Sequence, residues 1–254
     1  MKTFDTYAAY YDLLYHDKNY AAEVDYVDGL IKKSYPQAKT ILDLGCGSGN
    51  HAFLFTQKGY HVHGIDISQL MIDCARAKQQ VLDNEQSKTS FSCADLRTVS
   101  LDKTFDVVVS LFHVMSYQTS QDDLQKAFAT AYKHLAPGGL FIFDCWYGPA
   151  VLADQPRVRV KRMENEQIKI VRIAEPILHP NNNYVDVQFT VYIHPKGNTA
   201  IDQLHETHCM RYLFEPEVRL LYEAAGFDFV AAYEWLGDRV PALTSWNVCF
   251  IGKK

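Results

Sequence analysis

The stretch with the clearest chemical meaning is Asp43-Leu44-Gly45-Cys46-Gly47-Ser48-Gly49, set between a strand-like apolar run and a helical segment. Glycines clear side chains from a place where a ligand approaches the backbone, and the helix start behind them offers unpaired amide donors. Asp66, followed by Ile67, ends the next strand-like run, where a carboxylate can accept from both hydroxyls of a ribose. Asp95, beside Leu96, follows the third run; there a carboxylate can accept from an adenine amino group while the apolar neighbour covers the ring. Taken singly, the glycines also read as a structural turn and each aspartate as a solvated cap. Their order along three successive strand ends favours a nucleoside-bearing ligand. A nicotinamide-dehydrogenase loop fits less well, because Asn50 and His51 follow Gly49 and no third glycine stands at the dinucleotide spacing.

The elements that must carry these residues follow from periodicity. Ala21, Val24, Val27, Leu30 and Ile31 recur at helical spacing, so Tyr20 to about Ser34 reads as a leading helix stopped before Pro36. TILDLG is a buried strand, and His51 to Gly59 a helix with a glycine C-cap. HVHGID, TSFSCAD, FDVVVSLF and GLFIFDCW supply further strands. The helices between them run from Ser68, as N-cap, to about Gln80 and from Ser120 to Leu135, the second closed by APGG. Repeated βα units predict an α/β, doubly wound, Rossmann-like sheet of about seven strands, the last antiparallel. After Trp146 the rhythm changes to the alternation of KIVRIAEPIL, YVDVQFTVYIH and THCMRYLF, predicting an antiparallel β cap. Glu215 to Ala225 then reads as a helix, followed by strands around 227–235 and 245–251. The expected division is a core of residues 1–146 and 214–254 with residues 147–213 inserted as a substrate cap.

A chain of 254 residues with 48% hydrophobic and 22% charged residues buries a substantial core without disulfides. Its net charge of -5 argues against a nucleic-acid-tracking surface. Six scattered cysteines show no CxxC spacing, which suits reduced thiols in the cytoplasm. The N-terminal residues lack a signal-peptide pattern and no run is long enough to span a membrane, so a soluble protein is expected.

DLGCGSG, GIDIS, SCADL, FDVVVSLF and LAPGGLFIFD resemble, in order, the successive motifs of the class I S-adenosylmethionine (SAM)-dependent methyltransferase family, over roughly residues 40 to 145. The resemblance implies SAM as cofactor and S-adenosylhomocysteine (SAH) as product. It places the methionine part at Asp43, Gly45, Cys46, Gly47 and Gly49, the ribose at Asp66 with Ile67, and the adenine at Asp95 and Leu96. The N-terminal YYDLLY and NYAAEV, WYGP, the β-rich insertion and the terminal strand are similar to bacterial N,N-dimethyltransferases acting on nucleotide-linked amino sugars. That similarity implies a small-molecule substrate, the deoxyaminohexose of a TDP-sugar, with the insertion helping to form its pocket and often a dimer contact.

Other residues gain meaning from this resemblance. Tyr7, Tyr11, Tyr15 and Tyr20 could close over SAM; the family's motif positions favour Tyr11 and Tyr20, against a bland reading in which the tyrosines only pack the N-terminal segment. His113 and Tyr117 follow the fourth strand, where either can orient an acceptor or take its proton, or serve as wall residues. Trp146 and Tyr147 can wall a sugar ring or pack the core. Arg159, Arg162, Arg172 and Arg211 can pair with a substrate diphosphate or lie on a solvated strand face. His205-Glu206-Thr207-His208 reads as a strand that sends its histidines to opposite faces, so no metal is expected. Small-molecule O-methylation and non-catalytic SAM binding are the competing functions. The open edges of a small β insertion suit a homodimer, and a monomer stays open.

Overall fold

The computed structural model describes residues 13–82, 88–197 and 201–254. Helix α1 (Tyr20–Ser34) is capped by Asn19, whose side chain accepts the Ala22 amide at 3.0 Å, and it turns Val24, Val27 and Ile31 into the core. Then come β1 (Thr40–Leu44), α2 (Asn50–Gln57), β2 (His61–Asp66), α3 (Gln69–Leu82), β3 (Thr89–Cys93) and β4 (Phe105–Ser110). A 3-10 turn (Val114–Tyr117), α4 (Gln121–Lys133) and β5 (Leu135–Tyr147) complete this half. The chain continues through α5 (Gly148–Ala153), β6 (Arg159–Glu164), β7 (Ile168–His179), β8 (Tyr184–Pro195) and β9 (Asp202–Leu213). It closes with α6 (Glu215–Ala225), β10 (Asp228–Glu234) and β11 (Asn247–Lys253).

The main sheet runs β3-β2-β1-β4-β5-β11-β10, with β11 antiparallel to both of its neighbours. This is the doubly wound sheet with a reversed last strand that the βα rhythm predicts. Side-chain parity divides its core. Leu42, Val108, Phe141 and Phe143 pack on one face with Leu124 and Phe128 of α4 and Tyr222 of α6. Ile41, Val107, Val109, Leu140 and Ile142 pack on the other with α1, α2 and α3. Buried on both faces, these strands must be apolar throughout, as FDVVVS is. Strands β6 to β9 form an antiparallel meander that joins the main sheet through two residue pairs, Trp146 with Tyr212 and Tyr147 with Leu213.

Two local readings are corrected. APGG does not close a helix: Ala136 to Gly139 lie within β5, bulged against β4, because the Gly138 amide donates to the Lys254 carbonyl at 2.7 Å and Lys254 returns a bond to Gly139 at 2.9 Å. The insertion also holds α5 and β6, which the apolar pattern did not single out. Val158, beside β6, and Val160, within it, are 62% and 47% exposed, so this stretch does not alternate between core and solvent.

Phe128 is fully buried and meets Phe141, Phe143 and Tyr222 edge-on at 5.0–5.5 Å. Phe128→Ala should lower unfolding free energy by about 3–5 kcal/mol, measured by denaturant titration, because both the transfer energy and a cavity are lost.

Candidate active site

The turn after β1 holds Gly45, Gly47 and Gly49 at φ 83°, 54° and 82°, a region costly for other residues. A Cβ on Gly45 would sit 2.5 Å from Val114, whereas nothing lies within 4 Å of one on Gly47. The first glycine lets two loops approach; the second leaves backbone facing open space. The Gly45 and Cys46 amides both donate to the Ile65 carbonyl at 2.8 Å, tying the turn to β2. Asp66 at the end of β2 completes the tie, accepting the Gly47 amide at 2.8 Å and the Ser68 amide at 2.9 Å. Burial raises the Asp66 pKa, while the amides of Ser68, Gly47 and Ile67 oppose that rise.

Under the turn, Asp43 is 1% exposed and its Oδ2 has no hydrogen-bond partner among the described residues. Burial raises its pKa to about 6, with His51 pulling it down and Asp66 pushing it up. His51 in turn meets Glu23 of α1 at 2.7 Å, and Glu23 pairs with Lys18. Burial works against ionising Glu23, but these two partners outweigh it and hold its pKa at about 2. Asp95 is held in an Arg97 fork with bonds of 2.9 and 2.6 Å, and the hydrogen bond from Arg97, partly opposed by burial, lowers its pKa.

After β4, Phe112 and His113 adopt φ 64° and 62°, unusual for residues with side chains. The Asp144 carboxylate of β5, 1% exposed, takes up the strained bend: the His113 amide donates to it at 3.2 Å and His113 Nδ1 lies 2.7 Å from Oδ2. The ends of β1 to β5 and the meander enclose a cavity of 850 Å³. On the meander side Tyr117 Oη lies 2.7 Å from His208 Nδ1, and His208 Nε2 lies 3.1 Å from Glu206. The Arg172 guanidinium stacks on Phe189 at 4.7 Å and donates to the Tyr15 hydroxyl at 3.1 Å.

The cavity wall brings together Tyr20, Gly45, Cys46, Gly47, Asp66, Ile67, Asp95, Leu96, His113, Tyr117, Trp146, Arg159 and Arg172. Asp43 and Gly49 support the turn from outside the wall. Tyr147, one residue past Trp146 and so on the opposite face, is buried in the core beside Leu213 and Val218 rather than in the wall. Arg162 is exposed on β6, while Arg159 and Lys161, at the other parity, line the cavity. Arg211 binds the Thr119 carbonyl and Glu217 instead of facing the cavity. Tyr7 and Tyr11 lie outside the described residues. Lys161, Phe189, Met210, Trp246 and Phe112 also line the wall without having been singled out, His208 does so after being weighed only as a metal ligand, and Asp144 supports His113 from behind. Strand parity could have found Lys161 once β6 was recognised; no local motif marks His208 as a neighbour of Tyr117.

A model of methyltransferase domains matches residues 41–139. A putative methyltransferase of Bacillus subtilis, YqeM, is 31% identical over 225 residues, covering 88% of this chain and 87% of that protein. A Streptomyces venezuelae dTDP-3-amino-3,4,6-trideoxy-alpha-D-glucopyranose N,N-dimethyltransferase is 28% identical over 222 residues, covering 87% of this chain and 89% of that one. The crystal structure of Streptomyces venezuelae DesVI shares the fold with a TM-score of 0.81 at 24% identity, covering 97% of each chain.

The buried Asp43 predicts a pH dependence. Its folded pKa of about 6 exceeds the ordinary 3.8, so the folded chain holds that proton more tightly than the unfolded one. Stability of the ligand-free protein should therefore fall as pH rises from 3.8 through about 6, by about 3 kcal/mol from this group. In Asp43→Asn that component should vanish from denaturant melts taken across the window.

Proposed function

This chain belongs to the SAM-dependent methyltransferase family, and we propose that it methylates the amine of a nucleotide-linked amino sugar. The residues present suit the cofactor. Asp43 offers a buried, unsatisfied carboxylate oxygen beneath the turn, Gly47 offers open backbone, and Asp66 keeps acceptor capacity after taking two amides. In this reading the Asp43–Gly49 turn holds the methionine end, Asp66 with Ile67 the ribose, and Asp95 with Leu96 the adenine, while Tyr20 closes one side. When bound, SAM supplies an electrophilic methyl group on a cationic sulfonium. The chain's task is then to hold the acceptor in line and exclude water, which removes the entropy of encounter without a covalent nucleophile.

The observation that carries the substrate class is the shared wall: the glycine turn and the β6–β9 meander face one cavity, and the meander brings Arg159, Lys161 and Arg172 into it. The guanidinium groups there suit a diphosphate, while Lys161 is paired with Asp17, and Trp146, Phe189 and Met210 give a sugar an apolar face. Residues 147–213 thus act as the substrate cap on the 1–146 and 214–254 core. His113, oriented by Asp144, positions the acceptor. The amino-sugar N,N-dimethyltransferases among the relatives support this substrate class.

No helix among the described residues is long and apolar enough to cross a membrane. The six cysteines are free thiols, which supports a reducing, cytoplasmic setting. Strand β6 has a neighbour on one side only among the described residues, and we place a homodimer contact along its other edge. Light scattering should give twice the chain mass; a monomer at all concentrations would refute the contact.

Calorimetric titration should detect SAM and SAH binding that Asp66→Ala abolishes, and SAH should be released with dTDP-amino sugars. Release only with hydroxylated acceptors would favour O-methylation, and binding without release on any acceptor a SAM-binding protein. Arg159→Ala combined with Arg172→Ala should raise KM for the nucleotide sugar roughly tenfold or more while leaving SAM affinity unchanged.

A further inference from the structure

An amine is protonated near neutral pH and must lose a proton before its lone pair can attack, so the site needs somewhere for that proton to go. Tyr117 ends the 3-10 turn beyond β4, and His208 and Glu206, two residues apart on one face of β9, extend from it in a line. We propose that Tyr117, His208 and Glu206 form a relay that takes the proton from the acceptor amine, with Tyr117 as the group in contact with the substrate. The proposal rests on the amine reading above and deepens it.

The polarity of the chain follows from its members. A carboxylate only accepts, so the 3.1 Å contact with Glu206 puts a hydrogen on His208 Nε2. In the neutral ring Nδ1 then carries the lone pair, and across 2.7 Å the Tyr117 hydroxyl must donate to it. A phenolic oxygen that donates keeps acceptor capacity, and Tyr117 lines the cavity that the cofactor turn also lines. An ammonium N–H of the substrate meets the group it needs there, and a hydrogen-bond acceptor on the substrate does not.

The transfer balances. The amine N–H bond breaks and leaves its electron pair on nitrogen. Tyr117 oxygen gains that proton as its own O–H proton passes to His208 Nδ1, and the imidazolium that results is paired with the Glu206 carboxylate. Burial raises the Tyr117 pKa, which disfavours a standing phenolate and requires the two transfers to be coupled. Tyr15, Glu206, Arg172 and Asp66 are the other groups whose charge reaches Tyr117. The His208 and Glu206 side chains are 4% and 7% exposed, and the Phe189 ring meets His208 edge-on at 4.9 Å, so the line is held away from bulk water.

The decisive measurement is the pH profile of SAH release with a dTDP-amino sugar, beside 15N spectra of labelled histidine in the SAH-bound protein. Wild type should act on the ammonium form, with the acid limb of kcat/KM well below the amine's own pKa. In His208→Gln and Tyr117→Phe, kcat should drop about a hundredfold at pH 7, the acid limb should move up to the amine's own pKa, and activity should recover above it. Glu206→Gln removes the anion but keeps a hydrogen bond, so it should shift the limb to lower pH; it and Tyr117→Phe carry the test if His208→Gln does not fold. The signal lost in His208→Gln should show a protonated Nε2 and a bare Nδ1. A uniform loss at every pH, a limb that moves with His113→Gln instead, or the opposite tautomer would overturn the relay alone. Turnover of no amine by wild type would overturn the substrate reading and the relay with it.

Discussion

One carboxylate sets the geometry on which the cavity depends. Asp66 receives an amide from the glycine turn on one oxygen, which ties the ends of β1 and β2 together, and the Ser68 amide on the other, which fixes the start of the following segment. Together with the Gly45 and Cys46 amides on the Ile65 carbonyl, these bonds hold the left-handed glycines in place. The arrangement also has a cost: burial first, and then the nearby Asp66, raise the pKa of Asp43, so a cationic group brought beside the two carboxylates is favoured.

A second constraint acts where the meander meets the core. Backbone pairing between β5 and β9 covers two residue pairs, so side chains do much of the joining. Arg211 of β9 reaches the Thr119 carbonyl ahead of α4 and Glu217 in the first turn of α6, while His208 reaches Tyr117. The first linkage is structural and lies away from the cavity; the second lies in its wall. Both come from the end of β9 nearest the main sheet, which makes that strand the place where cap geometry and site geometry are set together.

How much of this could be read from residues alone divides along a physical line. Buried parallel strands and the glycine turn are dictated by local sequence: a strand covered on both faces must be apolar, and a left-handed turn must carry glycine. TILDLG, FDVVVSLF and the Asp43–Gly49 loop were therefore legible, as were Asp66 and Asp95 at strand ends. Strand β6 was obscure because Val160, its one valine, is half exposed, and Tyr147, open between wall and core in the sequence, turns to the core by a single step along β5. The pairs His113–Asp144 and Tyr117–His208 join residues far apart in the chain and depend on tertiary approach, for which one sequence holds no signal.

The position of β11 bears on how the molecule is made. It lies between β5 and β10, pairing with β5 from Trp146 to Leu140 and with β10 along its other side. During synthesis the second edge of β5, among the most apolar strands of the sheet, stays unpaired until residues 247–253 have left the ribosome. Over that interval the nascent chain carries an exposed core strand, which invites edge-to-edge association with neighbouring chains. The last strand thus acts as a late fastener, and slow translation beyond β9 lengthens the time in which the unfinished sheet is vulnerable.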